Sequence, residues 1–139
     1  MSNASPGARR FLLRKAQIEE MRKAAEPAFV KEVASHLRDN NTEAVAALKD
    51  PELERRIGIG LKRARRHELT QRATLTLFVA LMFEIAPNFD ESAPVKALLG
   101  DMTKPPDERM RGLPDQLTDE QWLEAKQNAD SRVWESGQK

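Results

Sequence analysis

The stretch from Thr74 to Asp90, TLTLFVALMFEIAPNFD, decides the fold. Leu75, Leu77, Phe78, Val79, Ala80, Leu81, Met82, Phe83, Ile85 and Ala86 make it apolar on every side, and Pro87 stops it. A helix that is apolar all round must be wrapped by other elements or by lipid, because one neighbour would leave its remaining faces in water. Residues 74–86 would span roughly 20 Å, short of the ~20 residues that a bilayer crossing needs. The segment reads as the core of an all-α domain, with the other helices as its cover.

Upstream of it, Ile18, Met21, Ala25, Phe29, Val33 and Leu37 recur every three or four residues with charges between them, one amphipathic helical face. Pro27 falls inside that run and predicts a kink or restart. Asp39-Asn40-Asn41 ends it, and Thr42 or Asn41 can cap a short helix carrying Val45 and Leu48. Asp50-Pro51 is a strong helix start, an acidic cap before proline at the first helical position. The helix that follows turns Leu53, Ile57, Leu61 and Ala64 inward and loads its outer side with Arg55, Arg56, Lys62, Arg63, Arg65 and Arg66. Gly58 and Gly60 each cost it about 1 kcal/mol relative to alanine, which predicts a close approach by the neighbouring helix. His67-Glu68-Leu69 forms the turn, and Thr70 is the expected cap of the central helix.

Downstream, Asn88 to Ser92 is a loop and Pro94 starts a helix with Val95, Leu98 and Leu99 that ends at Gly100. Lys104-Pro105-Pro106-Asp107 and Gly112-Leu113-Pro114 predict a surface connection from 101 to 117 with one short turn at most. Thr118-Asp119-Glu120-Gln121 fits a capping box with Trp122 in the first turn, and Val133 and Trp134 anchor the tail. No stretch alternates over a usable strand length. The expected architecture is a compact bundle of five to seven helices around a central apolar helix at about 72–86. Residues 1–15 form a flexible basic arm carrying Phe11-Leu12-Leu13, residues 16–135 one domain, and residues 136–139 a frayed tail.

The 139 residues contain no cysteine, which excludes disulfides, thiol nucleophiles and cysteine-based metal sites. The amino end lacks the uninterrupted apolar run of a secretory signal, so a cytoplasmic location is expected. Net charge is +1, but up to Arg72 there are 16 Lys and Arg against 10 Asp and Glu, and from Ala73 onward 7 against 12. The two halves are therefore opposite in sign, +6 and −5.

Chemistry finds few candidates. His36 and His67 have neither a nearby nucleophile nor a second ligand at i+4, and His67 suits a helix end. The acidic group after the core helix lacks the glycine of a calcium loop and reads as helix capping. Asp107-Glu108 and Asp119-Glu120 are adjacent pairs near helix starts, which do not face each other. Gly58-Ile59-Gly60 lacks the lysine and hydroxyl of a phosphate loop. The basic run followed by a turn and helix imitates a helix-turn-helix, yet the second helix is Leu75 to Ile85, which has nothing polar to offer base edges. Weak, non-specific backbone binding by the first helix remains the nucleic-acid alternative. The expectation is a non-enzyme without cofactor or metal, binding another protein through Arg55, Arg56, Lys62, Arg63, Arg65, Arg66, Trp122 and Trp134, residue types that anchor interfaces.

Phe29, His36-Leu37-Arg38, Leu53, Ile57, Gly60, Arg63-Ala64, Leu81-Met82-Phe83, Pro87, Phe89-Asp90, Pro94 and Leu98-Leu99 form a sparse pattern across residues 17–111. It resembles a group of small helical bacterial proteins encoded beside spike (VgrG) and effector genes in type VI secretion clusters. The chain departs from that group at Ala86, where a glycine is usual, and at His67-Glu68, where a Tyr-Gly-like turn is usual. The resemblance implies a cytoplasmic adaptor or chaperone-like accessory of an effector, or an immunity protein that neutralises a cognate toxin. It assigns no functional residue.

Overall fold

In the computed structural model, which describes residues 26–138, the apolar segment forms a helix over Arg72–Glu84 and stops ahead of Pro87. The chain divides into two units, Met1–Glu32 and Val33–Lys139. Residues 26–40 are helical (α1), and Val33, Ala34 and Leu37 are the buried residues it contributes to the second unit. The second unit continues with α2 (Thr42–Val45), α3 (Asp50–Arg66), α4 (Arg72–Glu84), a 3-10 turn (Phe89–Glu91), α5 (Ala93–Leu99), α6 (Pro106–Gln116), α7 (Asp119–Gln127) and a 3-10 tail (Ser131–Gln138). No strand is present among the described residues, so the fold is all-α. The arm expected at residues 1–15, and the chain ahead of Pro27 that would define a kink there, lie outside the described residues.

Helix α4 is the centre of the second unit, packed against α2, α3 and α6. Phe78, Val79 and Met82 are essentially closed to solvent, as are Leu53, Ile57, Leu61 and Ala64 on the facing side of α3. At Gly60 a Cβ would sit 3.1 Å from both Met82 Sδ and Val79 Cγ2, so the glycine lets α4 side chains press against the α3 backbone. Gly58 has open space around the same position. The close approach expected at both glycines therefore exists at one. Gly58→Ala is expected to raise stability by about 1 kcal/mol through helix propensity alone, read as a higher midpoint in urea at unchanged slope.

Local signals and tertiary contacts divide the helix ends between them. The capping box forms in full: Thr118 Oγ1 accepts from the Gln121 amide at 3.1 Å, and Gln121 Oε1 accepts from the Thr118 amide at 2.9 Å. The other expected caps are corrected. Asn41, Lys49 and Gln71 hold the cap positions of α2, α3 and α4 without a side-chain bond. Thr42 donates its hydroxyl back to the Arg38 carbonyl, and Asp50 accepts from Arg38 Nη2 at 2.8 Å. Arg38 also donates to the Val45 and Leu48 carbonyls, so one guanidinium secures the link between α2 and α3.

The segment expected to be a connection contains α6, eleven residues long, with Pro114 inside it. Pro106 sits in the first turn, where its missing N–H costs nothing, and Pro114 lies in the last turn. Burial of Met110 and Leu113 overrides the proline punctuation. At the turn after α3, Glu68 takes φ 67°, the left-handed conformation usually given to glycine. Its Cβ carries the steric penalty of that region, about 1 kcal/mol. Glu68→Gly is expected to recover about that amount, seen as a rise in Tm of a few degrees.

Candidate functional site

The basic helix α3 was the expected partner surface, and the structure sorts its cations into two groups. Those toward the tail and the 3-10 turn are built into the fold. Arg55 donates Nε and Nη2 to Glu52 at 2.9 and 2.7 Å and Nη1 to the Trp134 carbonyl at 2.7 Å. Arg56 donates Nε to the same Glu52 carboxylate at 2.7 Å, with its guanidinium carbon 5.4 Å from the Trp134 ring centre. The two side-chain hydrogen bonds, from Arg55 and Arg56, lower the Glu52 carboxyl to about 2. Trp134 is buried and stacks on Phe83, ring centres 4.9 Å apart at 29°. It anchors the tail, as expected, and is thereby removed from any outward-facing surface.

Arg63 is also turned inward. It donates Nε and Nη2 to Asp90 at 2.9–3.0 Å and Nη2 to Glu91 at 2.9 Å, and its side chain is 15% exposed. His67 Nε2 approaches Asp90 Oδ2, which Arg63 Nε also reaches, at 2.9 Å. Burial would push the Asp90 carboxyl up, but the hydrogen bonds from His67 and Arg63 and the charge of Arg63 outweigh it and hold the group below its ordinary value. The 3-10 turn explains the placement, because it sends Phe89 into the core against Phe78 at 4.9 Å and leaves the next residue aimed at α3. His67 closes the stack from the other side, 5.4 Å from Phe78. Asp90 is therefore an inter-element ion-pair partner, which corrects the reading of this acidic group as a helix cap. Asn88, in the same group, ties the tail instead: its Nδ2 donates to the Asn128 carbonyl and its Oδ1 accepts from the Asp130 amide.

Lys62 and Arg66 remain exposed, with no ion pair among the described residues. Arg65 and Trp122 are half-buried. Four of the eight expected partner residues, Arg55, Arg56, Arg63 and Trp134, thus have structural duties. No group of three or more His, Asp and Glu that could hold a metal ion occurs among the described residues. No helix among them is long and apolar enough to cross a membrane.

No protein family, curated protein or solved structure matches this chain. What it does has to follow from its own side chains.

Two further carboxylate and helix features escaped the sequence. Asp107, at the start of α6, reaches the entrance of α4, where Oδ1 accepts from the Thr70 and Gln71 amides at 3.1 Å each and from the Thr74 hydroxyl, and Oδ2 accepts from the Thr70 hydroxyl at 3.0 Å. Burial opposes ionisation there, and the hydrogen bonds from Thr74, Gln71 and Thr70 overcome it, so its carboxyl is also held low. Asp107 thus supplies from α6 the capping bonds that Gln71, at the cap position of α4, does not make with its own side chain. The second feature is α7, where Ala125 is the one buried residue of nine and Leu123 stands 54% exposed beside Glu120 and Glu124. The capping box secures the start of this short helix, and Leu123 faces outward from its middle.

Proposed function

We propose that this chain is a non-enzymatic protein-interaction module, an adaptor or chaperone-like accessory of a secreted bacterial effector. The observation that carries the reading is the division of charge on α3. Asp90 and Glu52 take Arg63, Arg55 and Arg56, while Lys62 and Arg66 stay exposed on the outer face of a helix whose opposite face is locked in the core. Cations held on a rigid element suit recognition of an acidic protein surface, because little conformational freedom is lost on docking. The carboxylates with the lowest exposure, Asp90 and Asp107, have their oxygens engaged by structural donors. The type VI setting rests on the resemblance of residues 17–111 alone.

Affinity purification of the tagged chain from its native host, followed by mass spectrometry, tests the proposal. An effector or spike protein is expected to co-purify, and its recovery is expected to fall in the doubly reversed Lys62→Glu, Arg66→Glu chain. Recovery of the chain with neither kind of protein overturns the adaptor reading. Rescue of cells that express a neighbouring toxin would replace it with the immunity reading.

A further inference from the structure

We propose that the chain associates with itself, the acidic outer face of α7 in one copy lying against the basic outer face of α3 in a second. At 100° per residue, Ile59, Lys62 and Arg66 fall within about 60° of one another on α3, opposite the buried Leu53, Ile57 and Ala64, and Arg55, already bound to Glu52 and the Trp134 carbonyl, lies on the same stripe ahead of them. Ile59 is half-buried at the middle of that stripe, with Lys62 and Arg66 exposed on the turns after it. On α7 the exposed face is Asp119, Glu120, Leu123, Glu124 and Gln127, with Lys126 at its edge and Leu123 at its centre. Glu120, Glu124 and Asp119 form no ion pair among the described residues, and neither do Lys62 and Arg66. The acids that stay unpaired on α7 and the cations that stay unpaired on α3 are thus complementary, each set arranged around one aliphatic side chain.

The frames match as well as the charges. Nine helical residues on α7 and the twelve from Arg55 to Arg66 give faces of about 13 and 18 Å. Leu123 against Ile59 supplies the apolar centre, and the charged residues form a rim that fixes orientation and excludes like-charged alternatives. A contact of one helix on one helix is small, so the association is of the weak class and sensitive to salt. It covers the same α3 face that the proposed acidic partner would use, which makes the two occupants competitors. Purified protein without any partner tests self-association separately from that function.

The test is sedimentation velocity of the full chain at about 100 µM in low salt, about 50 mM, and high salt, about 500 mM. Association is expected in low salt and at least tenfold weaker in high salt. Lys62→Glu with Arg66→Glu, and separately Glu120→Lys with Glu124→Lys, are each expected to give a monomer with an unchanged circular dichroism spectrum. Mixing the two reversed chains restores both complementary pairings and is expected to restore association. A wild-type monomer at about 100 µM in low salt overturns the proposal. So does association that survives either reversal, or reversed chains that stay apart when mixed. Leu123→Ser keeps every charge, and association undiminished in that variant also counts against the proposal.

Discussion

Asp107→Ala is expected to lower the unfolding free energy by about 3–4 kcal/mol, among the largest losses available to a single surface-proximal carboxylate in this chain. One side chain accepts from two backbone amides and two hydroxyls at the entrance of the core helix, and alanine leaves all four donors without it. Thr74 is fully buried, so water cannot substitute at its hydroxyl, which is left with the Gln71 carbonyl at 3.0 Å as its one acceptor, and the loss is carried mainly by the two amides. The carboxylate also lies at the positive end of α4, where a negative charge is favoured. A domain of this size has about 5–15 kcal/mol in all, and the change corresponds to a fall in Tm of about 10 °C. Asp107→Asn separates the contributions. Its oxygen can keep the amide bonds and its NH2 can donate to the Thr70 hydroxyl, so about half the loss is expected from thermal or urea unfolding. Equal losses in the two variants would show that charge, not hydrogen-bond count, carries the effect.

The central helix was legible because its signal is contained in adjacent residues. Ten apolar side chains in a run ended by proline admit few structures, and the α4 that forms is buried by the flanking helices. The capping box was legible for the same reason, since its donor and acceptor are three residues apart. Asp107 was not, because its partners lie 33 to 37 positions away and nothing near it in the chain marks it as anything but a first-turn acid. The α6 helix was hidden by its own prolines, which mark turns locally: Pro106 occupies the first turn, where a helix tolerates it, while Pro114 gives up its amide bond in the last turn and is carried by the burial of Met110 and Leu113. On the basic helix, periodicity showed which arginines face outward. It could not show that Arg63, at the edge of that face, meets a carboxylate 27 residues on, or that Arg55 and Arg56 share Glu52 and hold the tail. Exposed charge is what survives after such pairings, and pairings are set by tertiary structure.

Asp90→Ala is expected to cost about 3 kcal/mol, by stranding Arg63 rather than by removing a favourable pair. Replacing one partner of a largely buried ion pair leaves a charge without its counter-ion, whereas replacing both with apolar groups is often neutral. Arg63 keeps Glu91, which is exposed and screened, so the loss falls at the lower end of the range for buried pairs. Asp90→Leu combined with Arg63→Met is therefore expected to recover most of the stability lost in Asp90→Ala, and a double variant as unstable as the single one would mean that the pair itself is strongly favourable. Acid separates this pair from the aromatic stack beneath it. The Asp90 carboxyl titrates lower in the folded chain than in the unfolded one, where it loses its proton near pH 3.9. Its stabilising contribution is then complete above about pH 4 and is lost as pH falls through the folded value, because the unfolded chain takes up the proton first. The difference in unfolding free energy between wild type and Asp90→Asn is expected to shrink as pH falls below about 4. His67→Phe would keep a ring against Phe78 while removing the Nε2 contact, and should reduce that acid-sensitive difference without abolishing it, since Arg63 still holds the carboxylate. A difference that stays flat down to pH 3 would assign the stability of this corner to Phe78 and Phe89 packing and leave the ion pair only the role of orienting the turn.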